Sequence, residues 1–193
     1  MKHPSRASLR DEYSSELSQL QQGLPVRFFH TLDYLISKLP GLFEDNWPLV
    51  PNHNDLLENN IHVSIETGGL TGICDWKDTT ISPFGMSLGG LETMLGIHTM
   101  KEIFFYHASQ QELRDLFWES FYQAMGKISE EQKELIEVAR LVGLFLEYGF
   151  GRNDAGIKVP SSEGDINMCY LEAVTLKLWA EQVGSNGSLD EGS

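Results

Sequence analysis

Apolar residues recur at helical spacing from residue 9 to residue 39 and predict two consecutive helices. The first helix ends at Gly23, and its apolar face consists of Leu9, Tyr13, Leu17 and Leu20. The second begins at Pro25 and ends at Pro40-Gly41, and its apolar positions are Phe28, Phe29, Leu32, Leu35, Ile36 and Leu39. Proline at the start of a helix and glycine at its end are typical boundary signals.

The pattern changes to strict alternation after residue 60. Ile61, Val63 and Ile65 alternate with polar neighbours, which is typical of a half-buried strand. The turn residues Thr67-Gly68-Gly69 follow, and residues 70–74 form the second predicted strand. The sequence therefore predicts one β-hairpin here, and this is the only β region that the pattern indicates clearly.

The remainder of the chain is predicted to be helical. A short buried helix covers residues 86–95, and a longer one covers residues 111–125. Ser129, with Gln132 three residues on, is the capping-box pattern for a helix that runs to Tyr148. Residues 150–164 are predicted to be a polar loop, after which Asp165 starts a last helix to Trp179. We expect one domain over residues 1–183 and a disordered tail over residues 184–193.

Composition narrows the function classes. The 193 residues contain 14 Lys and Arg against 28 Asp and Glu, a formal net charge of −14. This balance argues against nucleic-acid binding and against an anionic membrane surface, both of which need clustered basic residues, and it is compatible with a cationic partner. The first residues lack the apolar run of a signal peptide, and no stretch is apolar enough to span a membrane. We therefore expect a cytoplasmic protein.

The polar residues around the predicted hairpin carry the candidate chemistry. Asp55 and Asn60 lie in the loop before the hairpin, and Asp75 follows it. Because a hairpin folds back on itself, Asp75 is expected to return close to Asn60. Their side-chain oxygens are the hard ligands that Mg²⁺ prefers, and Asp55 beside them can accept a proton from a substrate hydroxyl. Phosphoryl transfer needs this combination of metal, positioning and base.

Together with His53, these three positions match the kinase pattern H-x-D-x-x-x-x-N with a later Asp at the end of a strand. The chain reads His53-Asn54-Asp55-Leu56 through Asn60-Ile61 and then Ile73-Cys74-Asp75-Trp76. In these residues it resembles the aminoglycoside phosphotransferase family, which is related to choline kinases and protein kinases. The segments Trp47-Pro48-Leu49-Val50 and Pro83-Phe84-Gly85-Met86-Ser87-Leu88 resemble the fungal branch of that family.

The resemblance implies a role for each matching position. Asp55 would be the catalytic base, Asn60 and Asp75 would hold Mg²⁺ on the phosphates of ATP, and His53 would brace the loop. Trp76 and Asp78 would shape the site without taking part in the chemistry. The implied activity is ATP- and Mg²⁺-dependent phosphorylation of a small-molecule hydroxyl, with a cationic acceptor compatible with the charge. One departure is Asn54, where the family usually has Gly.

The expected fold is α+β and mostly helical: the C-terminal lobe of a protein-kinase-like fold with one catalytic β-hairpin. The N-terminal β lobe that clamps ATP is not visible in the residues before His53. One alternative is a non-catalytic kinase-like remnant that acts as a binding or scaffold protein. A second is that the β lobe is encoded upstream or supplied by a separate chain. We also expect that the chain can self-associate through apolar surface that the missing lobe leaves exposed. A metal-dependent hydrolase is a further alternative.

Overall fold

The computed structural model describes residues 5–99 and 104–177. Its core lies between helices α1 (Arg6–Gly23), α2 (Phe29–Lys38) and α5 (Glu130–Tyr148), with α6 (Ile166–Leu171) closing one side. Most of the predicted apolar positions of the first two helices are buried, as expected from their spacing, but Phe29 is exposed. Phe28 and Phe145 meet edge to face at the centre of this core, with their ring centroids 5.9 Å apart. The predicted mostly helical fold is confirmed at this level.

Two predicted helix boundaries differ from the structure. Pro25 precedes a 3₁₀ turn, Val26–Phe28, and the α-helix begins only after it. Pro40-Gly41 does not end the helical backbone, which continues as the 3₁₀ helix Leu39–Phe43. Proline is accommodated there because it occupies the first turn, where its missing N–H would have no helical partner.

The described residues contain four two-stranded antiparallel sheets rather than a single β region, so the prediction of one hairpin was too narrow. Strand β1 (Leu49–Asn52) pairs with β4 (Thr80–Pro83), and β2 (Ile61–Val63) pairs with β3 (Leu70–Ile73). Strand β5 (Gly96–His98) pairs with β6 (Phe104–Tyr106), and β7 (Phe150–Arg152) pairs with β8 (Lys158–Pro160). The predicted polar loop over residues 150–164 is thus wrong in part. Strands of three or four residues are too short to show a clear alternation.

The β2–β3 hairpin forms where it was predicted, but the prediction of a half-buried strand is wrong. Val63 and Leu70 are 55% and 64% exposed, and Ile65, in the turn, is 98% exposed. The strands of this hairpin pair with each other and with no third strand among the described residues. Apolar side chains on both of its strands are therefore left in solvent.

Two further elements position the site. A 3₁₀ turn, Met86–Gly89, leads into α3 (Gly90–Met94) and packs against α5. The close approach needs Gly143, because a Cβ at that position would lie 2.1 Å from the carbonyl oxygen of Met86. Helix α4 (Gln110–Met125) follows the β5–β6 pair.

No helix among the described residues is both long and apolar enough to cross a membrane.

The last helix begins at Ile166, as predicted, and a π-helical turn, Glu172–Lys177, follows α6. The Asp165 carboxylate does not cap this helix; it accepts from the backbone N–H and the hydroxyl of Ser162. The predicted extension to Trp179 and the predicted tail over residues 184–193 lie outside the described residues.

The capping box of α5 is confirmed. The Ser129 hydroxyl accepts from the backbone N–H of Gln132 at 3.1 Å, and the Gln132 side chain accepts from the backbone N–H of Ser129 at 2.8 Å. We expect Ser129→Ala to lower the free energy of unfolding by about 1 kcal/mol, because it leaves a helix N-terminal donor without its acceptor. Chemical denaturation measures the loss. Ser15→Ala, at an exposed position within α1, is the control and should not lower stability, because alanine favours the helix interior more than serine does. Equal stability of the two variants would contradict the assigned cap.

Candidate active site

The candidate catalytic loop, residues 53–60, is anchored by a buried asparagine that the sequence analysis missed. Asn52, the last residue of β1, donates from Nδ2 to the carbonyl and the hydroxyl of Ser82 in β4, at 3.1 and 2.7 Å. Its Oδ1 accepts from the backbone N–H and the hydroxyl of Ser87. These bonds hold the start of the loop against β4 and the turn that follows it. An asparagine in a short polar stretch gives no sequence signal for such a network.

His53 is buried and connects the loop to the far end of the hairpin. Its Nδ1 accepts from the backbone N–H of Asp55 at 3.1 Å, and its Nε2 lies 2.7 Å from the carbonyl oxygen of Cys74. A backbone N–H can only donate and a carbonyl can only accept, so these partners select the neutral tautomer that carries its proton on Nε2. The imidazole therefore fixes the backbone of Asp55 relative to the strand end that leads to Asp75.

Asp55 and Asn60 are in direct contact. The Asn60 Nδ2 donates to the backbone carbonyl of Asp55 at 2.8 Å and to its Oδ2 at 3.0 Å. Asn60 is buried, whereas the Asp55 side chain is exposed to solvent. A rigid amide thus orients an accessible carboxylate, which is what a base that receives a substrate proton requires.

The hairpin register brings Asp75 to the same end as Asn60, as the sequence predicts. Ile61 pairs with Ile73, and the Cys74 N–H donates to the Asn60 carbonyl at 2.9 Å. Asp75 has φ 59° and ψ 48°, the left-handed region, which turns the chain sharply out of the strand. Asp and Asn tolerate this region better than most residues, because their short side chains cause less crowding there.

The residues at this end of the hairpin suit a cation that takes only a few ligands from the protein and the others from a substrate and water. Both Nδ2 hydrogen bonds of Asn60 go to Asp55, which leaves its Oδ1 facing the Cys74 thiol, 3.8 Å away, on the side of the strand end. The exposed Asp75 carboxylate forms no hydrogen bond or ion pair with other described residues. The described residues contain no cluster of three or more His, Cys, Asp or Glu that could enclose a metal. Two oxygen ligands from the protein, with phosphate and water completing the shell, is the arrangement typical of Mg²⁺ on a nucleotide.

Three neighbouring residues support the loop from outside. The Trp76 ring contacts the His53 ring edge to face, with centroids 4.9 Å apart, and is about half exposed. Asn54 donates to the carbonyl of Asp78 at 2.7 Å and accepts from the Thr80 hydroxyl at 3.1 Å. Asn54 does not adopt a left-handed conformation, so it needs no glycine-like freedom here. The Asp78 carboxylate faces solvent, and only its backbone carbonyl joins the loop.

The loop borders a cleft of about 350 Å³ between α1, the end of α5 and the β7–β8 pair. Four carboxylates line this cleft, and they belong to Glu12, Glu16, Asp55 and Glu147. The surrounding protein removes water from the Glu147 carboxylate and raises its pKa; the negative charge of Asp55 raises it further, and Lys158 opposes the change. Burial, followed by Glu147 and Asp55, raises the pKa of Tyr148 to about 12, so this phenol stays protonated at neutral pH. The cleft has no local signal in the sequence, because its walls come from opposite ends of the chain.

Comparison with known proteins adds one positive finding. A sequence model described as the phosphotransferase enzyme family, APH, matches residues 4–117. The match covers the loop, the hairpin and all six predicted site residues, and it ends before α5 and the β7–β8 pair. No curated protein and no solved structure matches the chain significantly. Since the matched residues make up more than half of its length, the chain belongs to the phosphotransferase enzyme family.

Proposed function

We propose that this protein transfers the γ-phosphate of ATP, with Mg²⁺, to the hydroxyl group of a small molecule. The observation that carries the proposal is the geometry of Asn60. Its Nδ2 holds the carboxylate of Asp55, while its Oδ1 faces the strand end that leads to Asp75. One buried amide thus joins a candidate base to a candidate metal site. The family supports phosphotransferase chemistry in general, and the loop residues support its assignment to these positions.

Each residue then has a defined task. The exposed Asp55 carboxylate receives the hydrogen bond, and finally the proton, of the acceptor hydroxyl. Asn60 and Asp75 would hold Mg²⁺, which when bound supplies positive charge to the phosphate oxygens. His53 keeps the Asp55 backbone in place through its Nδ1, and Asn52 anchors the loop to β4. Most of the catalysis in such a site comes from positioning and electrostatics, and little from covalent chemistry.

The acceptor is proposed to carry positive charge. Among the described residues, the carboxylates of Glu12, Glu16 and Glu147 line the cleft together with that of Asp55, against the single ammonium of Lys158. A cleft with this balance concentrates cations and disfavours anions. A small amine that bears a hydroxyl would fit both the negative charge of the cleft and the candidate base, Asp55, at its edge.

A second candidate function is a non-catalytic binding protein with the architecture of a kinase C-terminal lobe. The specific observation in its favour is the β2–β3 hairpin, where Val63, Ile65 and Leu70 present apolar surface to solvent, as Trp76 does in the turn that follows. In the described residues before β1 the backbone is helical and contains no strand pair. The exposed hairpin is proposed to contact a β lobe, from this chain or a separate one, or a second copy of the chain.

Nucleotide binding separates the two candidates. With Mg·ATP at about ten times its Kd, we expect roughly 1.4 kcal/mol of stabilisation and a rise in melting temperature of about 4 °C. Asp75→Asn should remove most of the Mg²⁺-dependent part of this rise, because asparagine retains the left-handed backbone but loses the charge. Thermal denaturation with and without Mg²⁺ measures both effects.

Asp115→Asn, on the exposed face of α4, is the matched control and should respond to Mg·ATP as the wild type does. No shift at millimolar Mg·ATP would favour the binding-protein function. A full shift in Asp75→Asn would show that Asp75 does not hold the metal. A screen of hydroxyl-bearing amines with labelled ATP then tests phosphotransfer directly.

A further inference from the structure

An ion pair crosses the candidate acceptor cleft. The Nζ of Lys158, in β8, contacts the Oε1 of Glu16, in α1. Both residues line the cleft, and the Lys158 side chain is about half exposed. The backbones on either side are held independently of this pair, because Pro160 packs so closely on Gly23 that a Cβ at Gly23 would lie 2.4 Å from its ring. The side chain of Lys158 can therefore move without opening the fold.

In the same position, Lys158 has a second favourable contact. Its ammonium lies 4.2 Å from the centroid of the Phe150 ring, in the neighbouring strand β7. An aromatic face attracts a cation, so this ring can retain the ammonium if the carboxylate becomes occupied by another cation. The pair with Glu16 is also partly hydrated, and exposed ion pairs are weak enough to be exchanged.

The charges in the cleft are otherwise all negative. Lys158 is the only Lys or Arg that lines it among the described residues, against four carboxylates. Glu12 and Glu147 form no hydrogen bond or ion pair with other described residues, whereas Glu16 is paired with Lys158. The lysine therefore partly neutralises a site that would otherwise carry four negative charges.

We propose that Lys158 determines acceptor specificity by competing with the acceptor's ammonium group for the Glu16 carboxylate. This inference rests on the proposed function of the cleft as the acceptor site. A cation that enters must displace Lys158 from Glu16 and tolerate its charge nearby. Acceptors with a single ammonium group therefore bind weakly. Acceptors with two or more ammonium groups are preferred, because they can also pair with Glu12 and Glu147.

Direct binding of simple probes tests this competition without ATP, Mg²⁺ or turnover. The probe is 1,3-diaminopropan-2-ol, which carries two ammonium groups and a hydroxyl, and glycerol is its neutral counterpart. Lys158→Met keeps an apolar stem against Phe150 and removes the charge. We expect it to tighten binding of the diamine about three- to tenfold in an NMR titration, and to leave glycerol unchanged. Lys133→Met, which removes a lysine paired with Glu130 outside the cleft, is the control and should bind as the wild type does.

A double-mutant cycle identifies the shared carboxylate. In the wild type, Glu16→Gln should change the affinity for the diamine less than twofold, because Lys158 already occupies that carboxylate. In the Lys158→Met background the same change should weaken binding about three- to tenfold. Equal effects in the two backgrounds would overturn the competition.

The remaining outcomes are equally decisive. Unchanged affinity in Lys158→Met would show that the lysine does not compete with the probe. Equal binding of diamine and glycerol, or no binding of the diamine to any variant, would show that the cleft is not a cation site. None of these results depends on phosphotransfer, so a failure of the proposed reaction is detected separately.

Discussion

Asp55→Asn is expected to lower the rate of phosphotransfer by a factor of about 10² to 10⁴, the usual contribution of a positioned general base. The substitution is nearly isosteric. An asparagine at this position can still present its Oδ1 to the Nδ2 of Asn60, which now donates to the Asp55 carboxylate at 3.0 Å. The backbone bond from Asn60 to residue 55 does not depend on the side chain. The loop should keep its shape while losing the group that accepts the proton.

Testing this prediction requires separate measurements of the rate of the chemical step and of nucleotide binding. Single-turnover transfer of labelled γ-phosphate measures the chemical step, and the Mg·ATP-dependent melting shift measures nucleotide binding. Asp55→Asn should reduce the first and retain the second, whereas Asp75→Asn should reduce both. Asp115→Asn should leave both unchanged. A transfer rate in Asp55→Asn within threefold of the wild type would show that Asp55 is not the base.

The positions of the candidate site residues could be predicted because they depend on local geometry. A strand, a short turn and a returning strand place Asn60 and Asp75 at one end of a hairpin, and the alternation of Ile61, Val63 and Ile65 was sufficient to locate it. The prediction that one face of this hairpin is buried was wrong for a related reason. Alternation shows which side chains share a face, but burial also requires a packing partner, and the described residues provide none.

The cleft and the supporting network could not be predicted, because they depend on contacts between distant parts of the chain. Glu16 and Lys158 are 142 residues apart, and they meet only because α1 packs beside β8. Asn52 reaches Ser87 across 35 residues through the pairing of β1 with β4. A single sequence contains no periodicity that reports such pairs. The same limit applies to a buried charge cluster behind the site.

That cluster joins the elements that follow the hairpin. Glu92, in α3, accepts from the Nε and Nη2 of Arg114, in α4, at 3.0 and 2.9 Å. The Tyr106 hydroxyl donates to the same carboxylate at 3.4 Å, and burial raises the pKa of this phenol, which keeps it a donor. The Nη1 of Arg140, in α5, lies 3.8 Å from Glu92 and has no hydrogen bond among the described residues. One carboxylate, 1% exposed, thus neutralises charge from two buried guanidinium groups.

Removing this carboxylate should be the most destabilising single change considered for this chain. Glu92→Gln replaces one acceptor oxygen with a donor amide facing Arg114 and leaves two buried guanidinium groups with only the partly exposed Glu137 as counter-ion. We expect a loss of about 3–5 kcal/mol in the free energy of unfolding, the usual effect of breaking a buried pair. For a marginally stable domain this is a large fraction of the total. Chemical denaturation at neutral pH measures the loss.

The size of this loss reflects the cost of an unpaired buried charge rather than the strength of the pair itself. Arg114→Met alone should therefore be destabilising, but in the Glu92→Leu background it should recover much of the stability, because two apolar residues can replace a buried ion pair. Glu134→Gln, which breaks a surface pair with Lys38, is the control and should cost at most about 1 kcal/mol. A loss in Glu92→Gln no larger than in this control would show that the cluster is hydrated and does not hold α3, α4 and α5 together.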